Sequence, residues 1–114
     1  MKILNNFDLT NYNSYRIKSK CNRAIFFDTE EEIKEYYQKN SKIDKILLGS
    51  GHNIILSKEY YTEDFIIFNG NFSEITVTVN SVVEAQAGIT MLEISEIALE
   101  KELSGVEIFY DIPS

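Results

Sequence analysis

The chain is poor in the residues that support cross-links, metal centres and nucleic-acid binding. Cys21 is its one cysteine, so no disulfide can form within it, and a reducing compartment is expected. Its single histidine, His52, has no cysteine or carboxylate nearby at metal-ligand spacing, which predicts that there is no metal site. Eleven Lys and Arg stand against eighteen Asp and Glu, and the net charge of −7 argues against a nucleic-acid partner.

Long apolar runs are missing as well. No stretch approaches the roughly 18 residues that a membrane span requires. The apolar start at residues 1–4 is too short for the core of a signal peptide. We therefore expect a cytoplasmic protein without a membrane partner. Its 114 residues, 44% of them hydrophobic, suffice for one domain with a real core.

The most informative stretch is the uncharged segment at residues 49–53, which lies between the apolar runs 46–48 and 54–56. This pattern predicts a strand, a tight loop and a second strand. Its two glycines let the backbone adopt positive φ and turn its N–H groups inward, and such a concave row binds phosphate oxygens. The alternative is a hairpin loop that needs glycine only for its turn. A dinucleotide fingerprint is excluded because Ile54 stands where a third glycine is needed, and a P-loop is excluded because no Gly-Lys-Ser or Gly-Lys-Thr follows.

Two capping boxes predict where helices begin. The first pairs Thr29 with Glu32 and the second pairs Thr90 with Glu93, and an apolar stripe follows each. The predicted strands are residues 15–18, 24–27, 46–48, 54–56, 65–68, 75–79, 82–87 and 106–110. Residues 5–14 and 58–64 are predicted to be irregular, and residues 69–71 and 80–81 to be turns. The order predicts an α+β fold with a small parallel or mixed sheet first and an antiparallel hairpin later.

Catalytic motifs do not stand out. The glycine segment lacks the spacing of a nucleophile elbow, and the carboxylates lie in capping boxes or on helix faces. Arg16 is either a basic residue directed at an anion or a solvated side chain on an acidic protein. From the residues alone, the chain is predicted to be a small ligand-binding domain, and no residue is assigned a catalytic role.

Several weak motifs occur in an order that resembles the UDP-N-acetylenolpyruvoylglucosamine reductases, flavoenzymes that make UDP-N-acetylmuramate for peptidoglycan synthesis. These motifs are residues 13–17, 24–39, 48–54, 87–88, 103–107 and 112–113. The resemblance covers nearly all of this chain but only the N-terminal, FAD-binding part of a family member. It implies the FAD-binding fold of the vanillyl-alcohol-oxidase class, in which a small mixed sheet with a helix is followed by a mostly antiparallel lobe.

The resemblance also implies a division of the chain and a set of cofactor contacts. Residues 1–58 would form the first FAD-binding lobe and residues 59–114 the incomplete start of the second. The implied FAD-binding residues are Leu48, Gly49, Ser50, Gly51, His52, Asn53, Ile54, Ala87, Gly88, Ile112 and Pro113. In the family, NADPH reduces the flavin, and the flavin then reduces the enolpyruvyl double bond.

Three positions depart from the family pattern. His52 stands where serine is usual, Asp111 where glycine or a neutral residue is common, and Ser114 where glycine is expected. The substrate domain, the family's proton-donating serine and its C-terminal glutamate have no counterpart, so the chain is not expected to be active alone. The alternative is a stand-alone, non-catalytic binding or interaction module derived from this domain, with a homodimer or a complementing chain as its expected partner.

Overall fold

The computed structural model describes residues 1–68 and 72–106, which belong to two compact units. The first unit, Met1–Phe68, contains β1 (Lys2–Asp8), a 3₁₀ turn (Thr10–Tyr12), β2 (Lys20–Phe26), α1 (Glu30–Lys39), β3 (Lys45–Leu48) and β4 (Tyr60–Ile67). The second contains β5 (Ile75–Val77), β6 (Val83–Ala85) and α2 (Met91–Glu100). The division into compact units therefore follows β4, and the boundary between FAD-binding lobes after Lys58 stays a prediction. Neither α-helix in the described ranges is long and apolar enough to cross a lipid bilayer.

The first unit is built on a four-stranded sheet in the order β1-β2-β4-β3. The strand β4 runs parallel to both β2 and β3, while β1 pairs antiparallel with β2. This arrangement confirms the predicted α+β class and the small mixed sheet. Because β2 and β4 are central, their apolar runs are buried, and Phe65 and Ile66 are both 0% exposed.

One apolar core lies against this sheet. Its buried members are Leu9, Cys21, Ala24, Phe26, Leu48, Leu56, Tyr61, Phe65 and Ile67. The helix α1 also contacts the sheet, and the rings of Tyr36 and Phe27 meet edge to face with their centroids 5.4 Å apart.

Both helices begin where the capping boxes predict. The Thr29 hydroxyl accepts from the N–H of Glu32 at 3.2 Å, and the Thr90 hydroxyl accepts from the N–H of Glu93 at 3.1 Å. The reciprocal bond of the first box differs from the prediction, because the Glu32 carboxylate accepts from the N–H of Asp28 at 2.9 Å. Each helix therefore has its start encoded within a few residues.

The antiparallel hairpin of the second unit is also confirmed. Ile75 pairs with Ala85 and Val77 with Val83. The turn closes through the N–H of Thr78, which donates to the Val82 carbonyl at 2.8 Å. Ser81 adopts a φ of 61°, at the predicted turn.

Several predicted elements are wrong. Residues 54–56 form no strand, so the glycine segment does not join two strands. Their apolar side chains serve packing instead, since Leu56 is 4% exposed and Ile54 packs on the core. Residues 15–18 also form no strand, because the chain makes a turn there in which the N–H of Arg16 donates to the Asn13 carbonyl.

Two segments predicted to be irregular contain strands. Much of 58–64 belongs to β4, and much of 5–14 belongs to β1 and the 3₁₀ turn. The polar side chains of β1 are compatible with a strand because β1 lies at the edge of the sheet, where none of its residues is buried. The turn predicted at 69–71 lies outside the described residues, as does the strand predicted at 106–110 beyond Val106.

Candidate ligand-binding loop

The two glycines of the predicted loop have different surroundings. Gly51 is buried with a φ of 80°, and a Cβ built there would lie 2.0 Å from the Tyr12 carbonyl oxygen. Only glycine fits at this position, because a side chain would collide with rigid backbone. Gly49 is exposed, lacks a positive φ, and a Cβ built there meets no atom within 4 Å in the described chain.

The loop begins where β3 ends and is held from one side by Ser14. The Ser14 N–H donates to the Gly51 carbonyl at 3.0 Å, and its hydroxyl donates to the His52 carbonyl at 3.4 Å. Leu48, at the end of β3, is 2% exposed, and Ile54 on the far side packs on the core. The loop is therefore anchored at both ends and along one side.

The backbone donors of the loop are not paired with the sheet. Within residues 1–68 and 72–106, the N–H groups of residues 49–52 donate to no protein acceptor. No acidic side chain lies in the loop, so no carboxylate of residues 49–53 would repel an anion bound there. This is the condition that an anion-binding concavity of backbone amides requires.

The polar side chains of the loop face solvent. His52 is exposed, and its Nδ1 lies 2.7 Å from the Ser50 hydroxyl. Asn53 is exposed as well. In the described part of the chain, no group of three or more His, Cys, Asp or Glu is placed to hold a metal ion. The loop therefore presents hydrogen-bonding groups and no fixed charge.

The other predicted cofactor-binding residues do not belong to the first unit. Ala87 and Gly88 follow β6 in the second unit, where the N–H of Gly88 donates to the Phe72 carbonyl at 2.6 Å. That N–H is therefore occupied by backbone, while Ala87 is exposed. Ile112 and Pro113 lie outside the described residues.

Sequence reasoning missed a buried ion pair beneath α1. Arg23 donates from Nε to Asp64 Oδ1 at 3.0 Å, and the Tyr36 hydroxyl donates to Asp64 Oδ2 at 2.5 Å. Cys21 pairs with Tyr61 whereas Arg23 pairs with Asp64, so a bulge in β4 brings the two charges opposite each other. A carboxylate amid the apolar residues of 61–67 was the available signal, but residues 58–64 were predicted to be irregular.

The pKa values of this cluster follow from its geometry. Burial disfavours the charged form of Asp64, but hydrogen bonds from Arg23 and Tyr36 outweigh burial and hold the pKa of that carboxyl below its ordinary value. Burial and the bond to Asp64 raise the pKa of Tyr36. Nearby, burial raises the pKa of the Cys21 thiol to about 11, so this cysteine stays protonated. The cluster joins α1 to the sheet and includes no residue of the loop.

One concave surface of the first unit lies apart from the loop. It has a volume of about 450 Å³ and is lined by Asp8, Thr10, Lys18, Ser19, Lys20 and Glu59. Its carboxylates and ammonium groups are mixed, so its charge favours neither an anion nor a cation.

The fold and the loop together define an α+β protein in which a parallel strand runs into a glycine-containing, amide-rich turn. The crystal structure of UDP-N-acetylenolpyruvylglucosamine reductase from Thermus caldophilus has a similar fold, with a TM-score of 0.72 over 98% of this chain and 38% of that chain, at 21% identity. No protein-family model matches the chain.

Curated relatives give the sequence relationship. UDP-N-acetylenolpyruvoylglucosamine reductase from Francisella tularensis is 34% identical over 93% of this chain, and that from Fusobacterium nucleatum is 26% identical over 99%. The resemblance to the UDP-N-acetylenolpyruvoylglucosamine reductases that the motifs predicted is confirmed over 93–99% of this chain. The chain spans 37% and 40% of the length of these two relatives.

Proposed function

We propose that this chain supplies part of the FAD-binding domain of a UDP-N-acetylenolpyruvoylglucosamine reductase, and that residues 49–53 bind the diphosphate of the cofactor. The observation that carries this proposal is Gly49. Its conformation and its described surroundings would accept a side chain, and as a glycine it leaves the open side of the loop accessible to a ligand. The N–H groups of residues 49–52, which have no described acceptor, suit phosphate oxygens.

The remaining parts of the proposal follow from the family. Bound FAD would supply the redox chemistry, and the residues of this chain would bind and orient it. The fold class would be that of vanillyl-alcohol-oxidase-type flavoproteins. Because the chain spans 37% and 40% of the length of the two relatives, flavin binding is the part of the family's function that we propose for these residues.

A flavin titration of two glycine variants tests the loop. Protein absorbance and quenching of flavin fluorescence would be followed with FAD up to about 1 mM, a range that detects a binding free energy near −4 kcal/mol. We expect Gly49→Ala to leave the unfolding midpoint unchanged while weakening FAD binding, because its new methyl group occupies the open side of the loop.

The contrasting variant is Gly51→Ala. Its methyl group would collide with the Tyr12 carbonyl, so we expect a loss of stability of about 1–3 kcal/mol as well as weaker binding. The proposal fails if the wild-type chain takes up no FAD over this range. It also fails if Gly49→Ala binds FAD as tightly as the wild type.

A second candidate function is an interaction module that self-associates. The strand β3 lies at the sheet edge, and Leu47 on it is 63% exposed while Ile55 after the loop is 70% exposed. An exposed edge with apolar side chains favours pairing with a second copy. Light scattering across a concentration series should then show a dimer that Leu47→Lys abolishes, and a monomer at every concentration would contradict this candidate.

A further inference from the structure

Residues 9–17, here called the bracket, contact the glycine loop from a distant part of the sequence. A buried asparagine, Asn13, holds this segment together through its side chain. The Asn13 side chain is 4% exposed, and its Nδ2 donates to the carbonyls of Leu9 at 2.9 Å and Ile17 at 3.2 Å. Its Oδ1 accepts from the N–H of Ile17 at 2.9 Å. One side chain therefore ties together both ends of the bracket.

The bracket is fixed to the sheet as well as to itself. Leu9 is 0% exposed in the core, and its N–H donates to the Ser19 carbonyl at 2.8 Å. The Tyr12 ring packs edge to face on Phe7 of β1, with centroids 5.0 Å apart. The bracket is therefore fixed in place and can hold the glycine loop in one position.

The glycine loop contacts the bracket through its carbonyl groups. Gly51 and His52 both direct a carbonyl to Ser14. In a trans peptide the N–H points opposite to the C=O of the same plane, and none of the described peptide bonds is cis. Because the Gly51 carbonyl faces Ser14, the N–H of His52 points away from the bracket.

We propose that the bracket positions the glycine loop for an anionic ligand. By donating to loop carbonyls, it holds the peptide between Gly51 and His52 with the His52 N–H directed away from the bracket. Asn13 and Ser14 are then positioning residues of the diphosphate site, acting through the loop backbone. The identity of the ligand rests on the proposed function, whereas the orientation of the loop does not.

Two substitutions at Ser14 separate its N–H from its hydroxyl. Ser14→Pro removes the N–H that donates to the Gly51 carbonyl. Proline suits this position because Ser14 is the second residue of a turn. The preceding residue, Asn13, is also extended, at φ −136° and ψ 141°, as a residue before proline prefers. Ser14→Ala removes only the longer contact to His52. Both variants would be compared with the wild type by amide NMR shifts and hydrogen exchange without ligand, and then by FAD titration.

We expect Ser14→Pro to shift the amide resonances of residues 49–53 while those of β2 and β4 remain, and to weaken FAD binding about tenfold, the scale of one well-formed hydrogen bond. Ser14→Ala should stay within about twofold of the wild type. Unchanged loop resonances in Ser14→Pro would overturn the inference, as would a shifted loop with undiminished FAD affinity.

Two further outcomes are also decisive. If Ser14→Pro loses the sheet resonances, Asn13→Asp replaces it, since aspartate keeps the acceptor for Ile17 but loses both donors. The same loop shifts are expected there, and their absence counts against the bracket. If the wild type binds no FAD, the proposed function fails, and the ligand-free loop comparison alone decides whether the bracket positions the loop.

Discussion

The first unit has an extensive buried apolar core, whereas in the described part of the second unit the buried apolar side chains are Phe72 and Ala98. Phe65 and Ile66 in the first sheet are 0% exposed, while in the second unit Val79 is 101% and Leu99 78% exposed. Local sequence signals are equally clear in both units, because each has a capped helix and paired strands. A local pattern therefore determines an element, but a core forms only where distant strands bring their apolar faces together.

The largest expected effect concerns the charge cluster of Arg23, Tyr36 and Asp64 in the first unit, which has no counterpart among the described residues of the second. Arg23→Ala would leave the Asp64 carboxylate buried without its cation, and Asp64 is only 1% exposed. We expect a loss of about 3–5 kcal/mol in the free energy of unfolding. Urea denaturation followed by tyrosine fluorescence would measure it, and a loss below about 1 kcal/mol would show that water rescues the carboxylate.

Acid should weaken the first unit through the same carboxylate. The folded-state pKa of Asp64 lies below its ordinary value, so its contribution to stability is complete above about pH 5 and is lost as the pH falls through the folded pKa. Amide exchange in β4 should therefore accelerate, beyond the intrinsic trend, as the pH falls below the ordinary carboxyl pKa of 3.8. In Asp64→Asn this acid-dependent component should disappear, and its persistence would assign the effect to other carboxylates.

The smallest effect compares the same local change in the two units. Thr29→Ala and Thr90→Ala each remove a hydroxyl that accepts from a helix N–H, and each should cost about 1 kcal/mol of helix stability. Because α1 also holds Tyr36 in the buried cluster, exchange should accelerate more along α2 than along α1. Equal acceleration of amide exchange in both helices would show that the buried contacts of Tyr36 do not protect α1 against the loss of its cap.

The sequence predicted the elements whose signals are local. The helix starts at Thr29 and Thr90 and the turn at Ser81 depend on neighbouring residues, and the structure confirms all three. The edge strand β1 was missed because its polar residues resemble a loop when the partner strand is unknown. The strand predicted at 54–56 was wrong because apolar residues serve packing as well as strands.

By itself, the sequence determined the family relationship, the α+β class and the starts of both helices, because each depends on residue types in a fixed order or at short spacing. The different surroundings of Gly49 and Gly51 depend on the tertiary structure. Gly51 is required by the Tyr12 carbonyl, which approaches from a distant part of the chain, while Gly49 faces open space. The pairing of Arg23 with Asp64 was likewise decided by strand register, since parallel strands join residues that no local pattern relates.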